Sequence, residues 1–149
     1  MSEKPRPTFR ELDKAECAAL LERQRVGRIA FSFHDRVDLE PIGFVASDGW
    51  IFGRTAPGAK LSTLEHHPWV AFEADEHSGP YDWQSVVVHG RFHVLEDSGS
   101  PTERERYQRA IAALRDAEPE ALTEADPVPS RQVVFGIAMH ETSGRAARS

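Results

Sequence analysis

Only one cysteine, Cys17, stands among the 149 residues. An internal disulfide and a cluster of thiolate ligands are therefore both excluded. No apolar run approaches the roughly 18 residues that a membrane-spanning helix needs. The first residues, Met1-Ser2-Glu3-Lys4-Pro5, hold no apolar stretch of the kind that begins a secretory signal. The expected address is the cytoplasm, with no membrane partner. Positive charge is scarce as well: 18 Lys and Arg stand against 24 Asp and Glu, a formal net charge of −6. Non-specific binding to nucleic acid works by neutralising phosphates, so no nucleic-acid partner is expected.

Several catalytic signatures are missing too. There is no HExxH and no paired Cys/His spacing, and the seven histidines do not compensate. His89 and His93 share a strand face but lie about 13 Å apart at 3.3 Å per residue, too far for one ion. The adjacent His66 and His67 point in different directions, and His34 sits in a turn, so no metal site is expected. Ser85 lacks a GxSxG turn and lies inside an apolar strand, which removes the hydrolase nucleophile. Glu73 and Asp75 face the same way on an extended strand, and nothing marks them as an acid–base pair. They are read as meeting solvent or an arginine of a partner subunit.

What is present is a chain with 40% hydrophobic and 28% charged residues, enough for one domain with a core over residues 1–149. Residues 1–10, with Pro5 and Pro7, read as a loose arm. A helix is predicted from an N-cap at Asp13 to about Gln24. Ile29, Phe31 and Phe33 alternate along a first strand from Arg28 to Phe33. A second strand runs from Val37 to Val45, and Pro41 within it marks an edge or a bulge. Ser47-Asp48-Gly49 turns into a third strand, Trp50 to Arg54. A short helix follows from Ala59 to Glu65, and a fourth strand from Trp69 to Ala74. Asp75 to Asp82 reads as a polar loop and Gln84 to Leu95 as a long fifth strand. Tyr107, Ile111 and Leu114 place an amphipathic helix over Pro101 to Ala117. An acidic, proline-rich surface loop, Glu118 to Ser130, leads to a sixth strand, Arg131 to Met139, and residues 142–149 read as a flexible tail. Strands outnumber helices and do not alternate with them, which predicts a mainly β, six-stranded antiparallel barrel with a few flanking helices.

One turn carries chemistry. After the strand Trp50-Ile51-Phe52 come Arg54, Thr55, Gly58, Lys60 and Ser62, and then a helix. A glycine lets backbone N–H groups approach a ligand, and a helix N-terminus adds partial positive charge. Arg and Lys add charge-assisted hydrogen bonds, the chemistry of a phosphate cradle. The turn is not that of an NTPase. Gly53 to Gly58 has GxxxxG spacing, but Lys60 comes one place late and Leu61 stands where a magnesium-binding hydroxyl belongs. On a helix, that slip turns the side chain by roughly 100°.

Five stretches in order resemble the FMN-binding split-barrel proteins related to pyridoxamine 5′-phosphate oxidase, in particular the small flavin-nucleotide-binding branch that includes nitroimidazole-resistance proteins. They are Cys17-Ala18-Ala19-Leu20-Leu21 through Val26-Gly27-Arg28-Ile29-Ala30; Glu40-Pro41-Ile42-Gly43-Phe44-Val45; Ile51-Phe52-Gly53-Arg54-Thr55 with Gly58-Ala59-Lys60; His67-Pro68-Trp69-Val70-Ala71-Phe72-Glu73; and Trp83-Gln84-Ser85-Val86-Val87-Val88-His89-Gly90-Arg91. The resemblance covers roughly residues 12–95, with a weaker match at Thr142-Ser143-Gly144-Arg145. It implies a Greek-key split barrel, a homodimer, and FMN in clefts at the dimer interface. It implies phosphate contacts at Arg54, Thr55, Lys60 and Ser62, and a flavin ring along Pro41, Ile42, Gly43 and Phe44. It places Trp83 and Ser85 beside the cofactor or the partner subunit, and Arg145 near the phosphate.

The basic residues that hold a second, substrate phosphate in pyridoxamine 5′-phosphate oxidase proper have no counterpart here, so that oxidation is not the expected activity. The reading is a flavin-dependent oxidoreductase taking electrons from a reduced nicotinamide, NADH or NADPH, to a small acceptor. The alternatives are a deazaflavin coenzyme on the same fold, or a non-catalytic flavin or haem carrier. No residue stands out as the proton donor.

Overall fold

The structure is a computed structural model that describes residues 5–149. These residues form β1 (Thr8–Glu11), α1 (Lys14–Arg23), β2 (Val26–Phe33), β3 (Arg36–Gly43), β4 (Val45–Ser47), β5 (Trp50–Thr55), α2 (Ala59–His66), β6 (Trp69–Gly79), β7 (Asp82–Leu95), α3 (Pro101–Ala117) and β8 (Val133–Arg148). Among the described residues, no helix is long and apolar enough to cross a membrane.

The strands form one antiparallel sheet in the order β3-β2-β6-β7-β8-β5-β4. β7 pairs along β8 from Leu95↔Val134 to Trp83↔Ala147, while β5 takes the first part of β8 and β1 the last. The two ends of this order, β3 and β4, are separated in the chain by Phe44 alone. The sheet must therefore curl until its edges meet, which gives a split barrel. The Phe44 N–H donates to the Arg25 carbonyl at 2.9 Å where they do.

Alternation decides the barrel's inside. Ile29, Ile51, Phe72, Val86, Val88 and Ile137 are buried there, with Cys17, Leu20 and Leu21 of α1 in the same cluster. A second cluster lies on the opposite face of β5 and β8, where Ala110, Ile111 and Leu114 of α3 cover Phe52, Leu95 and Val134. Phe52 and Ile51 are neighbours in sequence but enter different cores, because successive strand residues point to opposite faces.

Both longer helices begin at capping boxes. Asp13 accepts from the Glu16 N–H, and Ser100 from the Glu103 N–H with Pro101 in the first turn. Each glutamate reaches back to its cap residue's N–H, so two orphan donors are satisfied at each helix start.

The mainly β barrel is as expected, with eight strands among the described residues in place of six. The predicted strand Val37 to Val45 is two, because the chain leaves one sheet edge at Gly43 and joins the other at Val45. Pro41 does lie on an edge strand. Asp75 to Asp82 is no loop: β6 runs to Gly79 and β7 starts at Asp82, the polar ends pairing as Asp75↔Ser85 and His77↔Trp83. Residues 142–149 are not a flexible tail, since all but the last belong to β8. Of the arm 1–10, residues 1–4 lie outside the described residues, and Thr8–Glu11 is a strand rather than loose, held by the registers Thr8↔Arg148 and Glu11↔Arg145. The tail's small residues are what let it lie down. A Cβ at Gly144 would come within 2.7 Å of Cys17 Sγ and 3.0 Å of Leu12 Cβ.

Candidate functional site

The cradle residues sit where β3 meets the start of α2. Gly58 precedes α2 and supplies no side-chain cap. The first N–H groups of that helix are thus left open to a ligand. Lys60 Nζ lies 2.8 Å from Glu40 Oε2, a pair that ties α2 to β3 beside Pro41. Pro41 and Gly43 are exposed on the outer side of this edge strand, and Ile42 is half-buried on its inner side. A Cβ at Gly43 would find only the Arg25 carbonyl within 4 Å, at 3.8 Å, so the surface there is open and flat. Thr55 ends β5 opposite Val133, and Ser62 is exposed on the first turn of α2.

Of the residues expected at the phosphate and the ring, Arg54 and Phe44 do not join this group. Arg54 lies on the same side of β5 as Phe52, toward the segment after α3. Its side chain is only 8% exposed, and its guanidinium makes a two-pronged pair with the equally buried Asp126 while Nη2 reaches Glu118 at 3.1 Å. A guanidinium held by two carboxylates is already neutralised, so it brings no free charge to a phosphate. Phe44 is also withdrawn. It is buried, with its ring edge-on to Phe72 at 4.7 Å, and is therefore core rather than a ring contact.

The Arg54 pair has a pH signature. Arg54, together with the Val128 and Leu122 N–H groups, holds the Asp126 carboxyl far below the usual carboxylate range. A depressed folded-state pKa contributes stability that is present above the unfolded value, about 3.9, and is lost as pH falls through the folded one. Asp126→Asn is accordingly expected to lower the melting temperature at pH 7, with the gap to wild type closing as pH drops below about 4. A melting series from pH 2 to pH 7 checks this; a gap that does not depend on pH would contradict it.

Trp83, Ser85 and Arg145 form a second group on the outer face of β7 and β8, with Ser85 opposite Arg145 in the ladder. Trp83 Nε1 donates to the Pro80 carbonyl at 3.2 Å, and its ring tilts against Phe9 at 6.4 Å. Ser85 Oγ donates to Glu73 Oε2 at 3.0 Å. Arg28 Nη1 stands 3.3 Å from both Glu73 and Asp75. Those two carboxylates do face the same way, and the arginine they meet is on β2 of their own chain. Burial and the hydrogen bond from neighbouring Asp75 push Glu73 above its ordinary value, against the opposing pull of Ser85 and Arg28.

Pro41 and Gly43 of the first group share the outer face with the second group but do not touch it. Gly43 pairs with Val26 on β2, and Asp75 on β6 pairs with Ser85 on β7. Three inter-strand steps, about 14 Å, therefore separate Gly43 from Ser85. The same face carries exposed apolar side chains: Val26, Val37 (73% exposed), Leu39 (67%) and Trp69 (59%). Sequence reasoning missed Glu40, Arg28 and Asp126. Glu40 directly precedes Pro41 and could have been marked as a counter-charge for Lys60. Asp126 carried no local signal at all.

The family model for pyridoxamine 5′-phosphate oxidase matches residues 13–146 of this chain. The crystal structure of an FAD-binding protein from Mesorhizobium loti is similar, with 26% identity over 96% of this chain and 99% of that one, at a TM-score of 0.75. An uncharacterized protein of Rhizobium meliloti (strain 1021) is 26% identical over 93% of this chain and 95% of its own length. The fold is shared by a 5-nitroimidazole antibiotic resistance protein, so described provisionally, from Bacteroides thetaiotaomicron. It is 12% identical over 99% of this chain and 95% of that one, at a TM-score of 0.72.

Proposed function

The chain belongs to the pyridoxamine 5′-phosphate oxidase family, and from that premise we propose that it holds a flavin and works as an oxidoreductase between a reduced nicotinamide and a small acceptor. The observation that carries the reading is the Lys60–Glu40 pair at 2.8 Å. It fastens the uncapped start of α2 to edge strand β3 at the residue before Pro41, so a phosphate donor set stands at the same strand whose outer side exposes Pro41 and Gly43. The residues present fit a flavin. Lys60, Ser62, Thr55 and the first N–H groups of α2 would take the phosphate, with Glu40 holding Lys60 in place. Pro41 and Gly43 would lie under the ring, where a larger side chain would block approach. Arg54 would help only by bracing β5 from behind.

A bound flavin supplies electron and hydride transfer between donor and acceptor. The neighbour from Mesorhizobium loti is described as FAD-binding, so FMN and FAD are the forms to separate.

We infer a homodimer formed through the outer face. Covering exposed Val26, Val37, Leu39 and Trp69 would remove apolar area worth roughly 1.5–3 kcal/mol for each fully buried aliphatic side chain. A two-fold arrangement also resolves the separation of the two groups. The Pro41–Gly43 edge of one protomer would meet Trp83, Ser85 and Arg145 of the partner subunit, completing each cleft from both sides.

The test is the absorbance spectrum of the purified protein with the mass of the released chromophore. An FMN or FAD mass is expected. A deazaflavin mass or a haem Soret band would transfer the proposal to that cofactor, and a protein that takes up none of them on reconstitution would overturn it. Leu39→Glu is expected to convert dimer to monomer in sedimentation and to lower flavin content in step, because each cleft would lose half its walls. Full flavin content in a Leu39→Glu monomer would refute the shared cleft.

A further inference from the structure

Behind Gly43, on the side away from the outer sheet face, a cavity of about 230 Å³ opens between the β3–β4 junction, the end of α3 and the segment that follows. Phe44, Val45, Leu114, Ala121 and Val128 give it apolar walls, and Arg25 and Arg131 stand at its rim. Among the described residues, neither arginine has a carboxylate within 4.0 Å, unlike Arg54 deeper in the wall, which Asp126 and Glu118 neutralise. Arg25 is nonetheless held in place, because its Nη1 donates to the carbonyls of Glu22 and Gln24 at 2.8 and 3.1 Å. Arg25, Arg54 and Arg131 against Glu118 and Asp126 leave the cavity one positive charge in excess, in a chain whose formal net charge is −6.

We propose that this cavity is a binding site for a small apolar monoanion of the aromatic carboxylate class. Apolar walls with a few convergent polar groups are what small-molecule sites present. The walls take a flat hydrocarbon body. The rim arginines take a carboxylate through charge-assisted hydrogen bonds, which suit the planar guanidinium fork. The Arg54–Asp126–Glu118 cluster keeps the wall rigid and spends its own charge internally, so the site's selectivity rests with Arg25 and Arg131. A ligand seated there ends beside Gly43, the edge at which we place the flavin. The site does not require that reading, because the test below measures binding and not turnover.

The test is a titration of the full chain with 1-naphthoate, followed by amide chemical shifts and repeated with the uncharged 1-naphthalenemethanol and with inorganic phosphate. Saturable shifts at Val45, Leu114, Ala121 and Val128 are expected, with the uncharged analogue and phosphate each at least about tenfold weaker, the scale of one charge-assisted contact. The double variant Arg25→Ala/Arg131→Ala is expected to lose about tenfold in naphthoate affinity, and Arg25→Lys/Arg131→Lys to keep most of it. Ala117→Trp fills the cavity mouth without altering either arginine and is expected to abolish these shifts. Equal binding of the uncharged analogue, equal binding of phosphate, shifts confined to another surface, or naphthoate binding that survives Ala117→Trp would each overturn the proposal.

Discussion

Lys60→Ala is expected to weaken flavin binding by about tenfold to a hundredfold, the value of one hydrogen bond to a charged group, while the melting temperature of the flavin-free protein stays close to wild type. Lys60 is partly exposed and its ion pair with Glu40 is near the surface; exposed pairs contribute about 0–1 kcal/mol to folding. Arg54→Ala should behave in the opposite way. It strips the buried Asp126 of its partner and leaves Glu118 without one, so it lowers the melting temperature clearly and flavin affinity little. Fluorescence titration with FMN and with FAD, beside thermal melts of both variants, separates the two residues. Flavin affinity that falls with Arg54→Ala and survives Lys60→Ala would reverse the assignment of the cradle.

The opposite fates of Arg54 and Lys60 mark where the amino-acid sequence was legible. They lie six positions apart in a stretch that reads as one phosphate-binding turn. Strand alternation, however, sends Arg54 to the face of β5 that carries Phe52, and the residues waiting there, Glu118 and Asp126, come from a segment readable only as an acidic surface loop. No local pattern announces a pairing across 72 residues. The elements that were legible are those with local determinants. Pro101–Ala117 is a helix with the expected bounds because Ser100, Pro101 and Glu103 specify its start, and Asp13 with Glu16 specifies that of α1. The strand extensions were hidden for the complementary reason. Asp75 to Gly79 and residues 142–148 are polar or small and look like loop, yet they are strands because each pairs with β7. Ladder hydrogen bonds to a long central strand need no apolar side chain on the exposed face. The barrel itself followed from counting strands, whereas its closure depends on one buried residue, Phe44, placed between two sheet edges.

That closure point leads to the largest expected effect on stability, from Phe72→Ala. Phe72 is fully buried in the middle of β6, with the Phe44 ring edge-on at 4.7 Å. On β2, two residues before Ile29, its register partner, lies Gly27, where an added Cβ would meet Phe72 Cζ at 2.3 Å and the Glu73 carbonyl oxygen at 2.7 Å. The ring thus occupies space that a neighbouring residue gives up by having no side chain. When the ring is removed, Gly27 has nothing to move into the void, so the site collapses poorly. The expected loss is at the upper part of the 3–5 kcal/mol range for such truncations, a fall in melting temperature of roughly 10 °C or more. Gly27→Ala alone is expected to cost about 1–3 kcal/mol through overpacking. The double variant should cost less than the two singles together, because the new methyl enters part of the vacated space and the remaining clash is with the backbone of Glu73. Urea melts of the four proteins at one protein concentration give the cycle, the fixed concentration being needed because dimerisation would otherwise contribute to apparent stability. Strict additivity would mean that Gly27 and Phe72 do not share a cavity, and that the barrel relaxes around each independently.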